Sequence, residues 1–235
     1  DGMHWTNAAE NPVFIGASDV TDAQYDPIRK TYLLHYKIWR VDGEVVARRL
    51  PRGNAGPVSY WPTWKTVKLD GSKVRFQGQL VDFSSDDTSP VSGSIDFARE
   101  PTSRRVVARA ESRDLVHWTN ARLVVELPEQ DDPADWSTYG MSTFSYEGLY
   151  LGLLRVFHSD REIDLELAFS RDDRSWMRTT PGKPFIPLGP GGSYDAGMVF
   201  SSNSPIAVGD ELWFYYGAFT RDHADSGSDQ SASIG

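Results

Sequence analysis

The sequence predicts an all-β protein built from repeated four-stranded units, and three observations carry that prediction. A short box, Ser112-Arg-Asp-Leu-Val-His-Trp118, returns 58 residues later as Ser170-Arg-Asp-Asp-Arg-Ser-Trp176, and its tail alone stands at Asp1-Gly-Met-His-Trp5. Each full box follows a strand-like run, Val106-Val-Ala-Arg-Ala-Glu111 in one case and Ile163-Asp-Leu-Glu-Leu-Ala-Phe169 in the other. Turn signals recur between the remaining apolar runs, at Asp26-Pro27, Glu147-Gly148 and Gly209-Asp210. No long stretch carries the 3.6-residue apolar period of a helix.

The elements follow in the same order after each Trp. Behind Trp5 come Asn11-Pro-Val-Phe-Ile15, an inner strand from Asp19 to Tyr25, and a second strand Tyr32-Leu-Leu-His-Tyr-Lys37. Behind Trp118 come an inner strand from Tyr139 to Tyr146 and Leu149-Tyr-Leu-Gly-Leu-Leu154. Behind Trp176 come Pro184-Phe-Ile-Pro-Leu188, an inner strand from Asp195 to Phe200, and Glu211-Leu-Trp-Phe-Tyr-Tyr216. Four strands in about 50–60 residues make a propeller blade, and the chain holds between two and four of them. The Asp of each box suits the capping of a turn, and the Trp suits packing between blades. The chain begins inside one box and ends in Ser226-Gly-Ser-Asp-Gln-Ser-Ala-Ser-Ile-Gly235, so the expectation is a single propeller domain over 1–235, incomplete as a ring.

Trp5 and Trp118 lie almost two box spacings apart. Either a degenerate blade sits between them or one blade carries an insertion, and the insertion is preferred. The strand Tyr32–Trp39 is expected to lead straight to Arg105–Glu111, leaving about 41–103 as an excursion with hairpin-like runs around Thr66-Val-Lys-Leu69 and Val74–Phe83. Its Tyr60-Trp-Pro-Thr-Trp64 offers two rings, Trp61 and Trp64, either to wall a sugar pocket or to pack against a neighbouring protomer.

Composition excludes several functions. The net charge of -9 leaves no basic stripe for nucleic acid. No apolar stretch reaches the roughly 18 residues of a membrane span. With no Cys there is no disulfide, no thiolate nucleophile and no Cys-based zinc site, and no His pair stands at metal-ligand spacing. No metal or cofactor is therefore expected, with room left only for a structural, carboxylate-bound calcium. Gly-x-Ser-x-Gly is absent, and Gly189-Pro-Gly-Gly192 lacks the context of a phosphate loop. The aromatic share of 12%, with eight Trp, serves β-sheet cores and equally suits stacking on sugar faces.

The stretches Val107-Ala-Arg-Ala-Glu-Ser-Arg-Asp114, Tyr146-Glu-Gly-Leu-Tyr-Leu-Gly152, Phe185-Ile-Pro-Leu-Gly-Pro190, Ser193-Tyr-Asp-Ala-Gly-Met198 and Glu211-Leu-Trp-Phe-Tyr-Tyr-Gly217 resemble the five-bladed propeller glycosidases. That group contains glycoside hydrolase families 32 and 43, and the likeness extends to bacterial proteins similar to the family 32 N-terminal domain. It implies a secreted or periplasmic bacterial glycosidase of an oligo- or polysaccharide, the cytoplasm being compatible too. The alternative is a propeller that binds carbohydrate without cleaving it. The family 32 motifs Trp-x-Asn-Asp-Pro, Arg-Asp-Pro and Glu-Cys are absent, so no catalytic role carries over from them.

Glycoside hydrolysis uses two carboxyl groups, one protonating the leaving oxygen and one acting as base or nucleophile. In a propeller they are expected near the starts of the innermost strands. Asp19 and Asp22 lie at the first, Asp195 opens the third, and Asp131, Asp132 and Asp135 precede the second. Asp19 and Asp195 lead as acid and base, with Asp22 or Asp135 assisting. Each has an alternative use as an acceptor for turn N–H groups. Arg105, Tyr139, Trp61, Trp64 and His223 are the candidate sugar contacts.

Overall fold

The computed structural model of the chain describes residues 3–6, 14, 20–48, 64–76, 79–82, 91–92, 94–95, 103–119, 122–127, 132–133, 135–225 and 231–235. For 38–48, and for those between 64 and 103, it describes the backbone alone. Every regular element among these residues is a strand.

The first unit contains β1 (Thr21–Asp26) and β2 (Thr31–Arg48). After β3 (Trp64–Phe76), β4 (Gln79–Asp82), β5 (Val91–Ser92) and β6 (Ser94–Ile95), the unit resumes with β7 (Ser103–Ser112) and β8 (Arg122–Val125). Strands β1, β2, β7 and β8 form a four-stranded antiparallel meander. The β2–β7 ladder runs from Tyr32↔Ser112 to Val41↔Ser103. From Trp39 onward β2 also pairs with β3 on its other edge, β4 and β5 extend that side, and β6 pairs with Ala47 and Arg48. Strand β3 takes in the Thr66–Leu69 run and the start of the Val74–Phe83 run, whose later part pairs back on it as β4, with Val74 opposite Val81.

The second unit is the meander of β9 (Ser137–Tyr146), β10 (Leu149–Phe157), β11 (Ile163–Ser170) and β12 (Trp176–Arg178). Its first turn is Glu147-Gly148, both with positive φ, the two-residue hairpin that matches strand twist.

The third unit departs from the sequence expectation. Strand β13 (Met198–Ser201) pairs with the expected run only at its end, Tyr216, and otherwise with the residues after it, because β14 (Ile206–Val208) and β15 (Glu211–Trp213) close on each other across Gly209-Asp210. Its partner is β16 (Tyr216–Phe219), which also pairs with β17 (Ala232–Ile234). Gly209, with φ 60, permits the tight reversal, and that local hairpin takes Glu211–Trp213 out of the main sheet. One parallel bridge, Ile163↔Met198, joins the third unit to the second.

The boxes behave as turn caps. Asp114 Oδ1 accepts the Val116 and His117 amides at 2.9 and 2.7 Å, and Asp172 Oδ1 accepts those of Arg174 and Ser175 at the same distances. These donors favour the ionised form, holding Asp114 well below the usual carboxylate range and Asp172 at about 2. Trp118 packs with Phe14 on Leu34, Tyr36 and Val106. Trp176 packs against the core between the first two units, where Val107, Val125 and Leu127 meet Met141, Leu154, Val156 and Ala168. That contact removes apolar surface from water on both sheets and fixes how they sit together.

Candidate functional site

The starts of the three inner strands meet. Val20, just before β1, joins Tyr139 of β9 and Met198 of β13 in one cluster, with Ile163, Phe157, Phe200 and Phe219 around them. The Lys37 amide donates to Val20 O at 3.0 Å, tying β2 to the same end. Over this apolar floor sits a group of cations and rings. The Lys37 Nζ lies 4.1 Å from the Tyr139 ring centroid. The Arg105 guanidinium lies 5.4 Å from the Tyr139 ring and 4.3 Å from that of Phe157. Tyr139 and Phe157 stack at 6.0 Å and 19°. The Tyr139 hydroxyl is 2.6 Å from His223 Nε2, and the imidazole edges onto both rings.

Lys37 is 4% exposed and Tyr139 6%, so the cation–ring attraction acts with little water between and is worth about 2 kcal/mol. His223 is placed from the opposite side, its amide donating to Arg161 O at 3.0 Å in the turn between β10 and β11. The phenol and the imidazole form one hydrogen bond, the phenol donating where Nε2 is bare and accepting where Nε2 carries the proton.

Tyr139 enters this cluster through a β-bulge. Arg155 pairs with Gly140, but the next residue, Val156, pairs with Thr138, so Tyr139 is the extra residue of β9. Gly140 carries φ 141, outside the region open to other residues at this point. A Cβ there would lie 2.5 Å from Val20 Cγ1 and 2.9 Å from Arg155 Nη1.

Next to this cluster, Arg155 links all three inner strands. Its Nη1 donates to Asp22 Oδ2 at 2.8 Å, and its Nη2 to Ser142 Oγ at 2.6 Å and Ser201 O at 3.0 Å. Ser142 donates to Asp22 Oδ1 at 3.0 Å, and Ser201 Oγ to Ser142 Oγ at 3.0 Å.

Further ionic groups lie between strands and units. His158 Nε2 is 3.0 Å from Asp164 Oδ2 across the β10–β11 turn, with the Trp136 ring against it. Burial works against protonation of His158, but the Asp164 hydrogen bond and charge, helped by Asp160 and Glu166, outweigh it and raise its pKa. Glu162 in the same turn is also raised, by burial first and then by Asp160. Between the units, Asp173 accepts from Arg109 Nε at 2.6 Å and faces His35 Nε2 at 3.0 Å, while His35 Nδ1 meets Thr143 Oγ1 at 3.1 Å. Arg178 is gripped by Glu166 and Asp132.

Of the sequence-predicted residues, the structure brings Arg105, Tyr139 and His223 together around the Tyr139 ring. Asp22 is buried in the Arg155 network. Asp195 lies in the loop before β13, where its carboxylate accepts Ser193 Oγ at 2.6 Å and Tyr216 OH at 3.4 Å. Asp135 is exposed in the turn leading to β9. These three carboxylates share no hydrogen-bond partner among the described residues. Asp19 and Trp61 lie outside the described residues, and Trp64 is described only as the first backbone position of β3. Sequence reasoning missed Lys37, Phe157 and Arg155. A lone Arg inside the apolar run Leu149–Phe157 was a signal for the last. Among the described residues no three His, Asp or Glu side chains are arranged to hold a metal ion. None of them forms a helix long and apolar enough to cross a membrane.

No protein-family profile and no curated protein matches the chain. Solved structures similar to it include a glycoside hydrolase and a deacetylase. One is a family 117 glycoside hydrolase produced by the marine bacterium Zobellia galactanivorans, with a TM-score of 0.53 and 12% identity over 94% of this chain and 51% of that one. The other is an N-acetylgalactosamine deacetylase from F. plautii, in complex with blood group B trisaccharide, with a TM-score of 0.46 and 15% identity over 100% of this chain and 77% of that one. The chain spans about half the length of the glycoside hydrolase, and what it shares with it is an all-β fold.

Proposed function

We propose that the chain is a carbohydrate-active enzyme, a glycoside hydrolase whose sugar binds at the mouth formed by Tyr139, His223, Lys37, Arg105 and Phe157. One observation carries the reading: the starts of three inner strands converge on a cluster that unites flat rings with hydrogen-bonding cations. Sugar recognition uses that combination, rings for the C–H faces and charged donors for the hydroxyls. The family 117 fold likeness and the resemblance to families 32 and 43 lend support, and on this reading 1–235 is part of a five-bladed propeller with 41–103 inserted. Asp19, bonded in sequence to Val20, and Asp195 are the proposed acid and base, with Asp22 and Asp135 as assisting carboxylates, Trp61 and Trp64 as a further wall, and no cofactor in the reaction. The protein is proposed to act outside the cytoplasm.

A second reading, binding without cleavage, is favoured by one observation. Asp22, a proposed assisting carboxylate, is held by Arg155 and Ser142, which leaves it poorly placed to exchange protons. A glycan-hydrolysis screen on the wild type, beside folded Asp19→Asn and Asp195→Asn variants, separates the two. Loss of at least about a hundredfold in both variants supports the enzyme, since that is the scale of removing an acid or base. A wild type that binds a glycan and cleaves none supports the second reading.

A further inference from the structure

The bulge at Tyr139 and the buried Arg155 network belong to one device. Side chains alternate along β9 and β10: Met141, Leu154 and Val156 face the core between the first two units. Residues Gly140, Ser142 and Arg155 lie on the other face, toward Val20 and Ser201. In an unbulged strand Tyr139 would share the face of Met141. The extra residue places Tyr139 and Gly140 consecutively on the same face, as a slip of one position does in any strand. Two neighbours crowd one face there, and only a residue without a Cβ leaves Arg155 its path past β9.

The network also holds the bulge in place. Arg155 is the register partner of Gly140, and its guanidinium is fixed by one acceptor on each inner strand: Asp22 of β1, Ser142 of β9 and Ser201 of β13. A buried ion pair is seldom needed for stability, because an apolar pair of similar size often serves as well. What this pair supplies is a fixed geometry immediately beside the bulge.

We propose that Arg155 is a positioning residue for the mouth: its buried network with Asp22, Ser142 and Ser201 holds the bulge that turns Tyr139 out of the inter-unit core and onto His223. Its bearing on catalysis rests on reading the mouth as the sugar site; the positioning itself does not.

The test therefore reads the state of His223 and not turnover. Long-range proton–nitrogen spectra of the five histidines are recorded for the wild type, Tyr139→Phe and the double variant Arg155→Met/Asp22→Asn, with His223→Asn for assignment. The double variant removes both buried charges together, which keeps the fold within reach. In the wild type His223 Nε2 is hydrogen-bonded to the Tyr139 hydroxyl at 2.6 Å. Tyr139→Phe removes that bond and shifts the ring-nitrogen signals of His223. The double variant is expected to reproduce the Tyr139→Phe spectrum at His223, with His35 and His158 unmoved. Should it not fold, Arg155→Lys, which keeps the charge beside Asp22 but spans fewer acceptors, carries the same expectation. Wild-type His223 signals in a folded Arg155 variant overturn the proposal.

Discussion

Asp173 gives the sharpest stability prediction, because one side chain from the second unit anchors two residues of the first. It is fully buried, with Arg109 Nε at 2.6 Å on one oxygen and His35 Nε2 at 3.0 Å from the other. Its backbone sits at φ 57, which Asn tolerates as well as Asp does, so Asp173→Asn removes charge without adding strain. Breaking a buried pair costs about 3–5 kcal/mol. Arg109 keeps Glu111 at 2.5 Å, and the amide still accepts one bond, so the expected loss falls to about 2–3 kcal/mol. For a domain of this length that lowers Tm by roughly 4–12 °C. The pH dependence has a defined sign. Burial opposes ionisation of Asp173, but His35 and Arg109 overcome it and hold the folded pKa below the ordinary value. The stabilisation is complete above the unfolded carboxylate range near pH 4, and fades as the pH falls through the lower folded value. Urea midpoints from pH 7 to pH 3 read both effects, with Asp173→Asn flattening the acid limb. A variant within a degree of wild type at pH 7, with an unchanged acid limb, refutes the reasoning.

Leu115 occupies the same box position as Asp173, with φ 64, but its side chain is 44% exposed and holds nothing comparable. Leu115→Gly relieves the left-handed strain and is expected to raise stability by about 1 kcal/mol, or 2–4 °C in thermal melts. Gly140→Ala, at φ 141 against Val20 and Arg155, is expected to lose about 2–4 kcal/mol in urea unfolding, from strain and overpacking together. His158, raised by Asp164, contributes stability that is full below its unfolded pKa near 6.5 and fades as the pH rises through the folded value. Asp164→Asn is expected to remove that slope from urea midpoints measured between pH 6 and pH 8.

The parts of the fold legible in the sequence are those set by neighbours along the chain. Asp114 and Asp172 cap turns two and three residues ahead, and Glu147-Gly148 closes a hairpin, because those bonds are local. The third unit misled because Glu211–Trp213 is as strand-competent as Tyr216–Phe219, and only the reach of the Gly209 turn decides which joins the sheet. At the mouth, Arg105, Tyr139 and His223 stood out as polar groups near expected inner strands or loops. Lys37 did not, since it ends an alternating strand where a Lys ordinarily meets water. The fate of Asp22 was not legible either, because its partner Arg155 is 133 positions away. Nor was the bulge, whose extra residue exists only relative to the register of β10. The His158–Asp164 pair was within reach, flanking a short turn between two clear strands.

The cluster around Tyr139 and His223 is the proposed sugar site. Its most direct test is to take the glycans that the wild type binds or cleaves and measure kcat/KM, or Kd where there is no turnover, for His223→Ala and Tyr139→Phe beside the distant Leu115→Gly. A loss of about tenfold is expected in His223→Ala, the upper end of the worth of one hydrogen bond, with a smaller loss in Tyr139→Phe and none in Leu115→Gly. Equal values in all three folded variants, or no glycan bound or cleaved by the wild type, contradict it.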